Sequence, residues 1–369
     1  MALNASFNIA PELSPARRRG LWERRLDGKV AQNSRHEQGS NMLADWIELS
    51  LEGTIPTERA GRTAGGRFLF HAPGILELIP DTPGSDARAC VLSAGIHGNE
   101  TAPIELLGSC LARLEAGLLA VGAPVLVILG NLESIRRGER YVTTNLNRLF
   151  RQGLDEEGRE PERARELMEA IDGFFTRQAG FPRLHYDLHT AIRDSRYPRF
   201  VVEPFAETTT QPEQWAWLAA ADIQAALHQH RHSWTFSHYS KHYHQAQAFT
   251  LELGRALPFG HNDLTVLAPM GRLLEDLIAG RQPPRAPAAK MAFFRVAHEL
   301  MRESESFRLC FADDTPNFTE FAPGTRLAED AEAGNYVVGE QPLSVVFPNA
   351  NVELGARAAL LATRTEPPK

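Results

Sequence analysis

What most constrains the fold of this chain is a repeated change of hydrophobic period. Short, densely apolar runs alternate with longer stretches in which apolar residues recur at helical spacing. The runs at 68–70, 89–94, 125–129, 184–188, 200–202 and 249–253 read as strands, while 103–118, 160–176, 213–229 and 263–279 read as helices. Thr101 and Pro103 suit the cap and first turn of the first helix. Strands separated by helices predict an α/β protein. The Pro-rich joint Pro283-Pro284-Arg285-Ala286-Pro287 interrupts this alternation, and the short runs at 293–296, 306–309, 336–338 and 344–347 beyond it read as a small, mostly β module. Regular apolar recurrence begins only at Met42. The expected organisation is therefore an extension over 1–41, expected to be mobile, a main domain over 42–282 and a C-terminal module over 283–369.

Composition then removes several classes of function. Hydrophobic residues at 43% and charged residues at 23% are ordinary for a globular protein. With 39 Lys and Arg against 46 Asp and Glu, the net charge of −7 argues against coating a nucleic acid. The positive charge is nearly all arginine, a side chain suited to gripping carboxylates bidentately, although a bias in genome base composition explains the same excess. Cys90, Cys110 and Cys310 are too few and too far apart for a disulfide framework or a cysteine zinc knuckle, which fits a reducing cytoplasm. No apolar run reaches the roughly 18 to 20 residues needed to cross a bilayer. The first residues lack the apolar core of a secretory signal, so a cytoplasmic protein is expected.

The chemistry is concentrated in a few segments. Gly95-Ile96-His97-Gly98-Asn99-Glu100 places a His and a Glu three apart in the turn between a strand and a helix, where both can converge on one ion. Such pairs are also common by chance. His185, Asp187 and His189 share one face of a strand, so His189 at the strand exit is the natural third ligand. Asp187 either orients a ligand from behind or is an ordinary hydrogen-bonded strand carboxylate, and His185 reads as structural. Three ligands leave one zinc position open, as in catalytic sites. Glu252, alone in the apolar run Phe249-Thr250-Leu251-Glu252-Leu253-Gly254, is the candidate base, unless it faces solvent from an edge strand. Arg140, Asn147 and Arg148 could hold substrate carboxylates, though surface arginines are usually only solvated.

Taken together, these segments, with Asn145-Leu146-Asn147-Arg148 and Asp187-Leu188-His189-Thr190, resemble the succinylglutamate desuccinylase/aspartoacylase family of zinc carboxypeptidase-like hydrolases, in matching order from about Met42 onward. The resemblance implies one Zn²⁺ per chain held by His97, Glu100 and His189, Glu252 as general base and acid, and substrate carboxylates bound by Arg140, Asn147 and Arg148. It implies a mixed sheet flanked by helices with a C-terminal β module, and a small acidic N-acyl amino acid as substrate. It implies no nucleic-acid or membrane partner and sets no oligomeric state. The phrases Thr190-Ala191-Ile192-Arg193 and Phe347-Pro348-Asn349 resemble the desuccinylase branch, which implies hydrolysis of N-succinylglutamate to succinate and glutamate late in arginine breakdown. The alternatives are a deacylase of the aspartoacylase kind acting on another N-acyl amino acid, a peptidase, or a catalytically silent zinc-binding relative. His242 stands where the aspartoacylase branch has an arginine, and Arg193 is either a selector for the succinyl carboxylate or a solvated loop residue. Six of the 13 histidines fall between His228 and His244, which reads either as a second metal site or, preferably, as a polar loop beside the active site.

Overall fold

The computed structural model describes residues 42–368, so the expected extension over 1–41 lies outside the described residues. Helix α1 (Trp46–Glu52) precedes an antiparallel meander of β1 (Ala60–Thr63), β2 (Gly66–Ala72) and β3 (Ile75–Pro80). The chain then alternates β4 (Ala89–Ala94), α2 (Thr101–Glu115), β5 (Val125–Leu129), α3 (Leu132–Arg137), α4 (Arg159–Arg177) and β6 (Arg183–Ala191). Next come β7 (Arg199–Glu203), α5 (Pro212–Ala220), β8 (Ala225–His228), α6 (Phe236–His244), β9 (Gln247–Arg255) and α7 (Ala268–Ile278). After the Pro-rich joint the regular elements are strands apart from one 3-10 turn: β10 (Ala292–Met301), β11 (Arg308–Leu309), β12 (Thr319–Phe321), β13 (Arg326–Asp330), β14 (Gly334–Val337), β15 (Leu343–Val346) and β16 (Arg357–Thr365). The expected α/β class and the C-terminal β module are both present.

Among the described residues one mixed sheet of 13 strands runs in the order β1-β2-β3-β5-β4-β6-β9-β7-β8-β10-β16-β15-β12. Its centre, β5-β4-β6-β9, is parallel. Parallel strands covered on both faces must be apolar on both. The side chains of β4 show it: Cys90, Leu92 and Ala94 pack with α1, α2, α5 and α7, while Ala89 and Val91 pack with α4 and α6. Sequential strands β4 and β5 lie side by side, and β6 then crosses to the other flank of β4. This reversal leaves a crevice at the carboxyl ends of β4 and β6, the place where open α/β sheets bind ligands. The loop leaving β4 fits there because Gly98 carries no Cβ: one would stand 2.1 Å from the Ser134 carbonyl carbon and 2.2 Å from the Ile135 nitrogen of α3.

Two local expectations differ from the structure. The stretch 213–229 is not one helix: α5 stops at Ala220, Asp222 takes a positive φ of 65°, and 225–228 become β8 between β7 and β10. Alanine-rich sequence satisfies either form, and the two waiting strand edges decide it. Thr101 does not cap α2; its hydroxyl donates to the Leu257 carbonyl at 2.6 Å, and Glu100 occupies the cap position without making a cap hydrogen bond. The carboxylate of Glu100 is engaged elsewhere.

A buried ionic group joins β7, β8 and α6. Lys241, 1% exposed, donates to Glu203 at 3.1 Å and to Thr210 at 2.7 Å, and Glu203 also accepts from Thr210 and His228. Burial alone would raise the Glu203 carboxyl, but His228, Lys241 and Thr210 hold it down at about 2. Because the folded value is depressed, its stabilisation is complete above the ordinary carboxylate range and is lost as pH falls towards 2. Glu203→Ala should cost about 3–5 kcal/mol in urea unfolding at neutral pH by stranding a buried ammonium. Lys241→Met should cost less, and the deficit of Glu203→Gln should shrink below about pH 4.

Candidate active site

Three chain segments deliver the candidate site to the crevice. His97 and Glu100 follow β4 in the turn into α2, and His189 lies near the carboxyl end of β6. All three are at most 3% exposed, and one ligand atom from each lies within 4.8 Å of the others. Glu100 Oε1 sits 2.9 Å from His97 Nδ1, and Glu100 Oε2 sits 2.9 Å from His189 Nδ1. The far side of each ring is also held. His97 Nε2 lies 3.1 Å from the Asn145 carboxamide oxygen, and His189 Nε2 lies 2.9 Å from Asp187 Oδ2. Both outer contacts are acceptors, so a proton on each Nε2 has a partner, and an ion taking the place of the Nδ1 contacts with Glu100 would find both Nδ1 atoms able to ligate it.

Charge balance shows what the crevice is built for. Burial would raise the Glu100 carboxyl, but His97 and His189 hold it well below the usual carboxylate range. Burial would likewise lower His189, yet Asp187 and Glu100 on either side raise it well above an ordinary histidine. His97 behaves oppositely: burial and the Arg140 guanidinium push it down to about 4. Two buried carboxylates thus draw a positive charge into a cluster of two imidazoles. The donors, two nitrogens and a carboxylate, are those Zn²⁺ accepts.

Asp187 is tied from behind as well. Its Oδ1 accepts from Ser93 at 2.6 Å, Ser93 meets His185 Nε2 at 2.9 Å, and His185 Nδ1 meets Ser240 of α6 at 2.7 Å. His185 is fully buried and pushed down to about 4, first by burial. It is a neutral link in a chain of hydrogen bonds.

Glu252 pairs with His189 in the register of β9 against β6. It is not an edge-strand residue, since β6 and β7 flank its strand and it is 7% exposed. Its Oε2 is buried with no hydrogen-bond partner. Burial, then the charge of Glu100, raises its carboxyl to about 7, with His189 and Arg140 opposing and Asp187 adding to the rise. Strand register and the charges of Glu100, His189 and Arg140 acting on it put the carboxyl beside the cluster.

Arg140 donates to Glu100 Oε1 at 2.8 Å and remains 34% exposed. Asn147 is buried, and its carboxamide oxygen accepts the Phe236 backbone N–H at 2.9 Å, so only its amide hydrogens are offered outward. Arg148 is exposed and braces the Asn147 carbonyl at 2.7 Å. Desolvation by the surrounding protein, then the charges of Arg357 and Arg140, weigh against its charge, and Glu299 offsets them. Arg357 and Glu299 come from β16 and β10, so the C-terminal strands reach this corner. Arg193 is half-buried in the loop after β6. Asn145 and Ser93 had no sequence signal of their own; their roles arise from contacts across 48 and 94 positions of chain.

Comparison with known proteins follows the same lines. Residues 86–278 match the profile of the succinylglutamate desuccinylase/aspartoacylase catalytic domain, and residues 289–365 match the AstE/AspA barrel-sandwich hybrid domain. The chain is 45% identical over 325 residues to a succinylglutamate desuccinylase of Pseudomonas paraeruginosa, covering 86% of this chain and 97% of that protein. It is 42% identical over 322 residues to one from Serratia proteamaculans, with the same coverage of 86% and 97%. Among solved structures, succinylglutamate desuccinylase from Vibrio parahaemolyticus superposes with a TM-score of 0.80 at 32% identity, covering 87% of this chain and 95% of that one. The enzyme from Chromobacterium violaceum gives 0.77 at 36% identity, covering 88% and 98%. On these matches, which take in both the helix-flanked sheet and the β module, the chain belongs to the succinylglutamate desuccinylase/aspartoacylase family.

Proposed function

We propose that the chain hydrolyses the amide bond of N-succinylglutamate, releasing succinate and glutamate, as a cytoplasmic enzyme of arginine breakdown through succinylated intermediates. The observation that carries the reading is Glu252, a buried carboxylate with an unpartnered oxygen beside the convergent His97, Glu100 and His189. Two named relatives above 40% identity over nearly their full lengths support the substrate. Among the described residues no helix is long and apolar enough to cross a membrane.

In this reading His97 Nδ1, His189 Nδ1 and Glu100 hold one Zn²⁺, and Asp187 and Asn145 fix the tautomers that make them ligands. Zinc bound there supplies Lewis acidity, for the acyl oxygen and for lowering the pKa of water from 15.7 to about 7. Glu252 takes the proton of the attacking water on its free Oε2 and delivers it to the leaving amine of glutamate. A carboxyl poised near 7 suits both directions of that transfer, and cationic neighbours favour its ionised form. Arg140, anchored through one Nη on Glu100, has further N–H donors for negative charge developing on the acyl oxygen. Asn147 and Arg148 bind the substrate's carboxylates, and the neighbouring Arg357 adds positive charge at that corner. The arginines thus orient a small dianionic or trianionic substrate with its amide beside Glu252. The two-part organisation, 42–282 for chemistry and 283–369 closing its substrate side, belongs to the same proposal.

Glu252→Gln should retain zinc at wild-type stoichiometry, measured by elemental analysis, while kcat falls by at least about 10²–10⁴; near-normal turnover would remove the base assignment. Asp187→Asn should weaken zinc binding about 10–100-fold, read by competition with a chelator. Glutamate release from N-succinylglutamate should exceed aspartate release from N-acetylaspartate in kcat/KM, and the reverse order would favour an aspartoacylase-like deacylase.

A further inference from the structure

Six histidines lie between His228 and His244, and the structure divides them into two groups. Three are matched with carboxylates: His228 with Glu203, His230 with Glu299 at 3.9 Å, and His244 with Asp172 at 2.7 Å. The other three meet one another. His238 and His242 stand one turn apart on α6 with their rings stacked at 15°, centroids 5.2 Å apart. His232, from the loop between β8 and α6, closes the triangle, with ring centroids 5.0 Å from His238 and 4.8 Å from His242. His232 Nδ1 and His238 Nε2 are 2.8 Å apart, and ring nitrogens of all three lie within 4.8 Å of each other. His238 is fully buried, and its Nδ1 has no hydrogen-bond partner.

We propose that His232, His238 and His242 form a second transition-metal site, separate in sequence from the His97, Glu100 and His189 set. Among the three rings one hydrogen bond forms, between His232 Nδ1 and His238 Nε2, and it leaves the buried Nδ1 of His238 with a polar atom that an ion or a protein group must satisfy. Burial and the other two histidines push His238 down to about 3, and burial with His232 lowers His242, the Glu207 carboxylate opposing. His238 and His242 are thus biased towards the unprotonated form, the one that binds metals. An all-imidazole set favours Zn²⁺, Ni²⁺ or Cu²⁺ over Mg²⁺ or Ca²⁺. The rings are held from outside as well: Trp234 stacks on His232 at 20°, and Tyr243 packs edge-on against His242.

An ion there would staple the loop 229–235 onto α6. The turn that carries His238 is also the one whose Phe236 N–H fixes Asn147 and whose Ser237 hydroxyl bonds Thr250 of β9 at 2.7 Å. The site would thus stiffen the wall that holds a proposed substrate-binding residue, without touching the reacting atoms.

Zinc stoichiometry of the full chain, stripped of metal and dialysed against micromolar free Zn²⁺, tests this independently of the hydrolytic reading. The wild type should bind two ions, His97→Ala/His189→Ala one, and His232→Gln/His242→Gln one. Cobalt loaded into His97→Ala/His189→Ala should show a visible ligand-field spectrum that His232→Gln/His242→Gln added to the same chain abolishes. Affinity at the second site should fall in His232→Gln by more than the ~10–100-fold typical of losing an outer-shell partner. One ion in the wild type that only His97→Ala/His189→Ala removes would overturn the proposal, as would two ions retained in His232→Gln/His242→Gln. One ion removed only by His232→Gln/His242→Gln would instead sustain it while sinking the catalytic zinc assignment.

Discussion

Glu100 sets both carboxylate oxygens against imidazole nitrogens, His97 on one side and His189 on the other, each 2.9 Å away in a crevice closed to solvent. An ionised carboxyl in such a place is costly unless it is matched, and every neighbouring feature serves to match it. Arg140 and the Thr190 backbone N–H complete its hydrogen bonds. Asp187 supplies the charge that lets His189 act as a cationic partner. The same residues that satisfy Glu100 gather two ring nitrogens and a carboxylate in one place, so stabilising the fold and assembling a candidate metal site are one problem here.

The sheet makes that arrangement possible. Parallel strands end together, and β4, β6 and β9 release their polar residues at the same level: the turn bearing His97, then His189, then Glu252. Below them one face of these strands is apolar, and the other mixes apolar residues with the hydrogen-bonded Ser93, His185, Asp187 and Thr250. Alternation along β9 sends Phe249, Leu251 and Leu253 into one core and leaves Thr250 and Glu252 on the other face. Gly98 lets the turn after β4 lie directly on α3, which a side chain there would prevent.

Helix α6 is the second organiser. It receives the hydrogen-bond chain from Asp187 through Ser93 and His185 to Ser240, and its first backbone N–H positions Asn147. Lys241 anchors it to β7 through Glu203. A single short helix therefore supports the backs of a proposed metal ligand and of a proposed substrate-binding residue, and it presents two of the three clustered histidines. The C-terminal strands act from the opposite side, where Glu299 and Arg357 set the charge around Arg148.

Patterns carried by neighbouring residues were readable in the sequence: the strands β4, β5, β6 and β9, the helices α2 and α4, the β-rich C-terminal module, and the short motifs holding His97, Glu100, His189 and Glu252. Each depends on spacing within one turn or one strand, which local periodicity encodes directly. Features depending on distant partners were not readable. Residues 225–228 became a strand because β7 and β10 offered edges on both sides, and Thr101 surrendered its capping role to a carbonyl 156 positions away. The inward orientation of each Nδ1 is set by Asn145 and Asp187, and the pairing of three histidines with carboxylates, leaving three others together, is set by strands and a helix far apart in the chain. The sequence by itself determined which chemical groups this protein has and on what local elements they ride. Only tertiary structure decided which atoms meet, because burial, charge and hydrogen-bond demand are satisfied between elements and not within them.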